Sequence, residues 1–262
     1  MKKKIAIILP YKEVYSNSNA GAASIWLKDY NNLSTLSKDT IIYGNLDKGI
    51  KPITNNFKNI NISKTTFSKT KAYINFFYKD YLKHKYEIIE IHNRPEYLNF
   101  LIKKNIKAKL LFFFHNNPQD IRGSKTIKER INIINNTDKV FFVSNWTKRK
   151  FFSGLPYNTK SNCDILYPSI RRVKNFNYKK EKQIIFTGKL NSSKGYDLFG
   201  SAVIKILDKY KDWKAIVAGN EPREKFNFKH KNLKIHKWLA HKTILNLYKN
   251  SAISVVPSKW EE

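Results

Sequence analysis

A single cysteine, Cys163, is all the thiol chemistry the chain contains. It excludes an internal disulfide framework and any multi-cysteine zinc site, and it suits a reducing cytoplasm. No apolar run approaches the roughly 18 to 20 residues that a membrane span needs. Lys2 to Lys4 are followed only by the short strand-like stretch 5–9, so the expectation is a cytoplasmic chain, neither secreted nor membrane-spanning. No Asp-X-Asp pair, metal-spaced His/Glu cluster or nucleophile elbow occurs. Neither a metal, another cofactor nor a Ser/His triad is therefore expected.

Acidic side chains are also scarce. Twenty Asp and Glu stand against fifty Lys and Arg, a formal charge of +30, which invites a polyanionic partner such as nucleic acid, anionic lipid or a phosphate-bearing substrate. The lysines are spread along the whole chain among Asn and Ile, with the densest run at 179–182. That reads as a composition bias rather than a nucleic-acid arm, and the scarcity of Arg beside Lys argues against base readout in a groove. Hydrophobic residues at 41% and aromatics at 14% suffice for a sizeable core. At 262 residues the chain is long for one domain and short for two.

Strand-like and helix-period segments alternate from end to end. Strands are expected at 5–9, 40–43, 87–92, 110–115, 140–144 and 164–167, and helices at 24–36, 69–83, 95–104, 126–135 and 145–152. Consecutive apolar residues such as Leu111-Phe112-Phe113-Phe114 are typical of sheets covered on both faces. The alternation predicts a doubly wound parallel α/β sheet. Around Arg171 and Arg172 the texture turns polar, then strand, helix, strand, strand, helix and strand follow at 183–187, 194–210, 213–218, 233–238, 241–249 and 253–257. The expected organisation is a domain at 1–170, a linker at 171–182 and a partial second domain at 183–262.

In open α/β sheets ligands bind beyond the carboxyl ends of the strands, and four such places stand out. The loop 16–24, with Ala20, Gly21 and Ala22 running into a helix, has small residues and free amides that favour a phosphate, or is an ordinary loop with Ser24 as N-cap. His115, followed by Asn116, ends a very apolar strand and is placed to bond a sugar hydroxyl or to stabilise charge, the alternative being a structural histidine. The related segment His92-Asn93-Arg94-Pro95 leads into a proline-started helix, and there the structural alternative is stronger. Phe186-Thr187-Gly188-Lys189 through Lys194-Gly195 sets two lysines at a helix start, suited to a leaving nucleoside diphosphate without metal; its spacing is not that of a Walker loop. The stretch Val255 to Glu262 ends in two carboxylates, which alone would read as a charged tail.

In their order, these segments resemble glycosyltransferase family 4, the retaining GT-B enzymes that include transferases of envelope polysaccharides. Val140 to Trp146, Gly188-Lys189 through Leu198, Trp213 to Gly219 and Ser258 to Glu262 carry the likeness. The resemblance implies a GT-B-like fold of two Rossmann-like doubly wound domains, the second incomplete. It also implies a metal-independent, retaining transfer of a hexose from a UDP- or GDP-sugar to a saccharide or lipid-linked acceptor in envelope polysaccharide or lipopolysaccharide synthesis. Lys189 and Lys194 would hold the donor diphosphate, Gly21 would face it, His115 would lie near the donor sugar as the catalytic residue, and Glu262 would be the first glutamate of the family's Glu, seven residues, Glu motif. Asn116, Asn145, Gly188 and Arg94 are expected to line the cleft. The chain departs from the pattern in having Lys189 where the family has Arg, which loses the planar phosphate fork, and one glycine in the first loop where the family has two. It also ends at the first glutamate, which leaves open whether this stretch turns over.

Peripheral contact with anionic membrane fits the basic composition. Two other readings compete: a nucleic-acid-binding protein driven by charge, which would show a basic stripe with exposed aromatics, and a GT-B sugar-nucleotide epimerase, which would need acid/base carboxylates.

Overall fold

The computed structural model describes residues 4–18, 20–63, 65–169 and 179–259. These form two compact units, divided near residue 171. Residues 171–178 of the expected linker lie outside the described residues, as does Glu262.

The first unit is built on seven parallel strands: β1 (Ile5–Ile8), β2 (Thr40–Gly44), β3 (Phe57–Asn59), β4 (Ile88–His92), β5 (Lys109–Phe114), β6 (Lys139–Phe142) and β7 (Cys163–Ile165). They lie in the order β3-β2-β1-β4-β5-β6-β7. Every residue of β1 is buried, because it is central and covered on both faces. The side-chain period of two then divides its residues: Ala6 and Ile8 join one core cluster, while Ile5, Ile7 and Leu9 join another on the opposite face. Strand β5 does the same, with Phe112 and Phe114 on one side and Phe113 on the other.

Helices cover both faces. α1 (Ala22–Leu33) sends Trp26 and Leu27 into the smaller cluster. α2 (Lys69–His84), α3 (Pro95–Lys103), α4 (Ile127–Asn135) and α5 (Asn145–Phe152) pack Phe77, Leu98, Ile133 and Phe151 into the larger one. α4 opens on a complete capping box, Thr126 with Glu129, which satisfies two amides at the helix start.

The second unit has four parallel strands, β8 (Glu181–Thr187), β9 (Lys214–Ala218), β10 (Leu233–His236) and β11 (Ser251–Ser254), in the order β10-β9-β8-β11. α6 (Tyr196–Lys209) buries Phe199, Val203 and Leu207 against Ile184, Phe186 and Val217. α7 (His241–Asn250) buries none of its residues, and Trp238, Leu245, Ile253 and Val256 are exposed. Strand β8 begins at Glu181, so the last residues of the expected linker belong to the sheet. Among the described residues no helix is long and apolar enough to cross a membrane.

Candidate functional site

Each sheet changes winding direction where its first strand meets a later one, β1 beside β4 in the first unit and β8 beside β11 in the second. At such switch points the loops diverge and leave room for a ligand. The sequence-predicted residues fall on the loops at these carboxyl ends. Gly21 follows β1, Arg94 follows β4, His115 and Asn116 follow β5, and Asn145 starts α5 after β6; these four strands are consecutive neighbours.

His115 stands one residue beyond β5 and is half-buried. Its backbone N–H donates to Asn93 Oδ1 at 2.9 Å, and Asn93 takes a left-handed conformation (φ 53°) with its own N–H on Phe113 O at 2.8 Å. The side chain meets His92, with His92 Nδ1 and His115 Nε2 2.8 Å apart. His92 is fully buried and stacks on Phe113 at 4.7 Å, while Trp26 of α1 sets its edge against His115 at 5.5 Å. Burial pushes both imidazoles down to about 3 and holds them neutral, and at His115 the neighbouring His92 adds to the effect. Thus His92, for which the sequence made the structural alternative the stronger, is the direct partner of His115.

Glu90, two residues before His92 on β4, was not singled out from sequence. It is 5% exposed and burial raises it to about 7 against the pull of the Tyr30 hydroxyl, which donates to Glu90 Oε1 at 3.4 Å. The signal was present: one carboxylate inside Ile88-Ile89-Glu90-Ile91-His92, a strand otherwise apolar until its end.

Arg94 is the N-cap of α3, its guanidinium 5.6 Å over the Tyr11 ring, with Nε buried and unpartnered. Asn116 is exposed, and Asn145, also exposed, donates to the Tyr167 hydroxyl at 2.9 Å. Tyr11 also lines a polar pocket of about 1050 Å³ together with Lys12, Lys48, Asn59 and Lys69.

At Gly21 the helix start is engaged by a carboxylate of the chain itself. Helix α1 begins at Ala22 with Gly21 as N-cap, and the Glu13 carboxylate accepts from Ser24 N–H at 3.1 Å. A Cβ at position 21 would lie 2.6 Å from Glu13 Oε1. The helix start already holds an anion from its own chain, and the dipole that favours a phosphate favours this carboxylate for the same reason. Ser24 is consequently a buried first-turn residue rather than the cap.

The second unit gathers Gly188, Lys189 and Lys194 on one loop. Gly188 follows β8 with φ 148° and donates to Ala218 O at 3.1 Å. The Asn191 side chain accepts from Lys194 N–H at 3.0 Å, closing a short 3-10 turn (Ser192–Lys194). Gly195 then enters α6 at φ 69°, where a Cβ would meet Pro257 O at 2.0 Å. The lysines thus stand at the amino end of a fourteen-residue helix. Among the described residues no carboxylate pairs with either lysine, although neighbouring acids are engaged: Glu224 accepts from Ser192 N–H and Oγ at 2.9 and 2.6 Å, and Arg223 forks Glu221 at 2.8 Å on both oxygens, lowering it to about 2. Two ammonium groups without a salt bridge among the described residues, Lys189 lying within electrostatic reach of Glu221, and a helix N-terminus make an anion-attracting site.

The fold these units define is GT-B, two Rossmann-like parallel α/β sheets on one chain. Residues 169–262 match the family model described as Glycosyl transferases group 1. The whole chain superposes on solved structures of low sequence identity. A sucrose-phosphate synthase from Thermosynechococcus elongatus is 12% identical, with 99% of this chain and 76% of that one covered at a TM-score of 0.69. A glycosyltransferase from Rickettsia africae is 16% identical over 100% and 75% of the two chains, with a TM-score of 0.68. Anabaena HepE, solved in complex with UDP-glucose, is 12% identical over 99% and 75%, with a TM-score of 0.65. No protein of curated function matches the chain.

Proposed function

We propose that the chain is a retaining, metal-independent glycosyltransferase that moves a hexose from a UDP- or GDP-sugar to a saccharide or lipid-linked acceptor of envelope polysaccharide. The observation that carries this reading is the loop from Gly188 to Gly195, whose lysines, without a salt bridge among the described residues, lie at the start of α6 at the switch point of the second sheet. Lys189 and Lys194 hold the diphosphate and stabilise the charge that develops as the sugar leaves. The match of residues 169–262 to the glycosyltransferase family model supports the same assignment.

In this reading the second unit binds the donor and the first the acceptor. His115 contacts the donor sugar, with Arg94, Asn116 and Asn145 on the loops beside it. The pocket lined by Lys12, Lys48 and Lys69 suits an acceptor carrying negative charge. Gly21, on the first loop beside Glu13, faces the donor diphosphate as the resemblance implies. Glu262 keeps the role that the sequence resemblance implies. The protein works in the cytoplasm, in peripheral contact with anionic lipid.

Titration calorimetry with UDP, GDP and their sugars tests the donor site. One nucleotide is expected to bind, and Lys194→Ala to weaken it about 10- to 100-fold, the worth of a charge-assisted phosphate contact. Absence of binding to every nucleoside diphosphate, with salt-sensitive binding to DNA instead, would sink the proposal. Isomerised nucleotide sugar without transfer would identify an epimerase.

A further inference from the structure

Three titratable side chains on two neighbouring strands form a continuous line, buried at Glu90 and His92 and half-buried at His115, and only its last member belongs to the candidate site. Glu90 and His92 both lie on β4, and His115 follows β5, which pairs with β4 through His92 and Phe113. The two imidazoles meet edge to edge: centroids 5.0 Å apart, planes 18° apart and facing nitrogens at 2.8 Å. That is the geometry of an in-plane N–H···N bond, which requires one ring to donate and the other to accept. Behind it, Glu90 Oε2 and His92 Nε2 face each other at 3.8 Å, and each is a buried polar atom without a hydrogen-bond partner. Two orphaned atoms at that spacing satisfy one another if the gap closes by about 1 Å. Among the described residues the other titratable group acting on Glu90 is Tyr30 of α1; the strand residues paired beside it, Ile7 and Leu111, are apolar.

We propose that Glu90, His92 and His115 form a proton relay in which the protonation state of Glu90 sets whether His115 Nδ1 donates or accepts a hydrogen bond. With Glu90 protonated, its O–H donates to His92 Nε2, His92 Nδ1–H donates to His115 Nε2, and His115 carries its proton on Nδ1. When His115 Nδ1 gives up that proton, the Glu90 proton passes to His92 Nε2 and the His92 Nδ1 proton passes to His115 Nε2. The line is left with a carboxylate accepting from His92 Nε2–H, His92 Nδ1 accepting from His115 Nε2–H, and a lone pair on His115 Nδ1. One proton leaves, both rings stay neutral, and the single negative charge rests on Glu90. Trp26, Phe113 and Tyr30 pack along the line at Glu90 and His92. Glu90 and His92 are thus positioning residues that act through His115. Neutral rings on both histidines and a Glu90 that titrates near 7 are what such a line requires.

This rests on the reading that His115 faces the donor sugar, and the test separates the two. Long-range proton–nitrogen NMR of the full chain labelled at histidine reports the tautomer of each ring from about pH 5 to about pH 9. Assignments come from His92→Gln and His115→Gln. Both rings are expected to change together from the Nδ1–H to the Nε2–H tautomer, with population ratios altering by about tenfold or more across one shared midpoint. Glu90→Gln should abolish the change, while Glu90→Asp should restore it with a moved midpoint, an effect that a purely structural role would not produce. A single tautomer throughout in the wild type, or a change that persists in Glu90→Gln, overturns the relay. The wild-type titration decides the matter even if the Gln variant fails to fold. Switching rings in a chain that binds no nucleotide sugar would uphold the relay and remove the glycosyl-transfer reading; fixed rings in a chain that binds one would do the reverse.

Discussion

Gly195 shows how much one residue can carry. Its φ of 69° is a conformation that side chains rarely adopt, and the Pro257 carbonyl fills the space where a Cβ would go. Gly195→Ala should therefore destabilise the second unit by about 1–3 kcal/mol through left-handed strain and the clash, and should also loosen the loop holding Lys189 and Lys194. A lowered urea midpoint together with weaker nucleotide affinity in the calorimeter is the expected pair of results. An unchanged midpoint would mean that the backbone relaxes freely there. The placement of the two lysines was legible in the sequence because it is local: a strand end, a short polar loop and a helix start lie within about ten consecutive residues. Glu90 was not, because its environment is made by Ile7 on β1, Leu111 on β5 and Tyr30 on α1. His92 gained its role from a residue twenty-three positions away, a pairing that no local pattern encodes.

Among the elements, the two helices of the second unit differ most. α6 buries five residues and α7 none, and amide protection follows buried apolar contact. Hydrogen exchange should therefore open α7 at least about tenfold faster than α6; equal protection would refute the link between burial and opening in this unit. Strands such as β1, β5 and β9 were readable because four or more successive positions are apolar or small, the mark of a sheet covered twice. β3 escaped because Phe57-Lys58-Asn59 is short, lies at the edge and holds one apolar residue. The start of α1 moved from Ser24 to Ala22 because the Glu13 carboxylate stabilises the first turn from eleven residues away. Helical periodicity detects apolar faces and is blind to a cap supplied from a distant loop.

For the whole molecule, the line of Glu90, His92 and His115 in the first unit makes stability depend on pH with a calculable sign. His92 and His115 drop from about 6.5 to about 3 on folding, so the stability they contribute is lost as pH falls below 6.5. Glu90 rises from 4.5 to about 7, so its contribution is present at low pH and lost as pH rises through 7. Between about 4.5 and 6.5 the unfolded chain binds two more protons at the histidines and one fewer at Glu90. The net is one proton, and stability should rise with pH by about 1.4 kcal/mol per unit over that window. Urea midpoints across the range check this against His115→Gln, in which the slope from these groups should vanish; a slope unchanged by the substitution would refute it. The other whole-molecule feature, a charge of +30, could be counted from sequence but not interpreted, because it says nothing of which cations are already paired. One packing detail of the second unit bears on its engineering. A Cβ at position 219 would sit 1.7 Å from Gly188 O, while Gly188 N–H is bonded to Ala218 O. The loops after β8 and β9 are therefore interlocked main chain against main chain. Any attempt to graft a foreign loop after β8 must import its partner glycine after β9 as well, so the transplantable unit is a pair of loops from two strands.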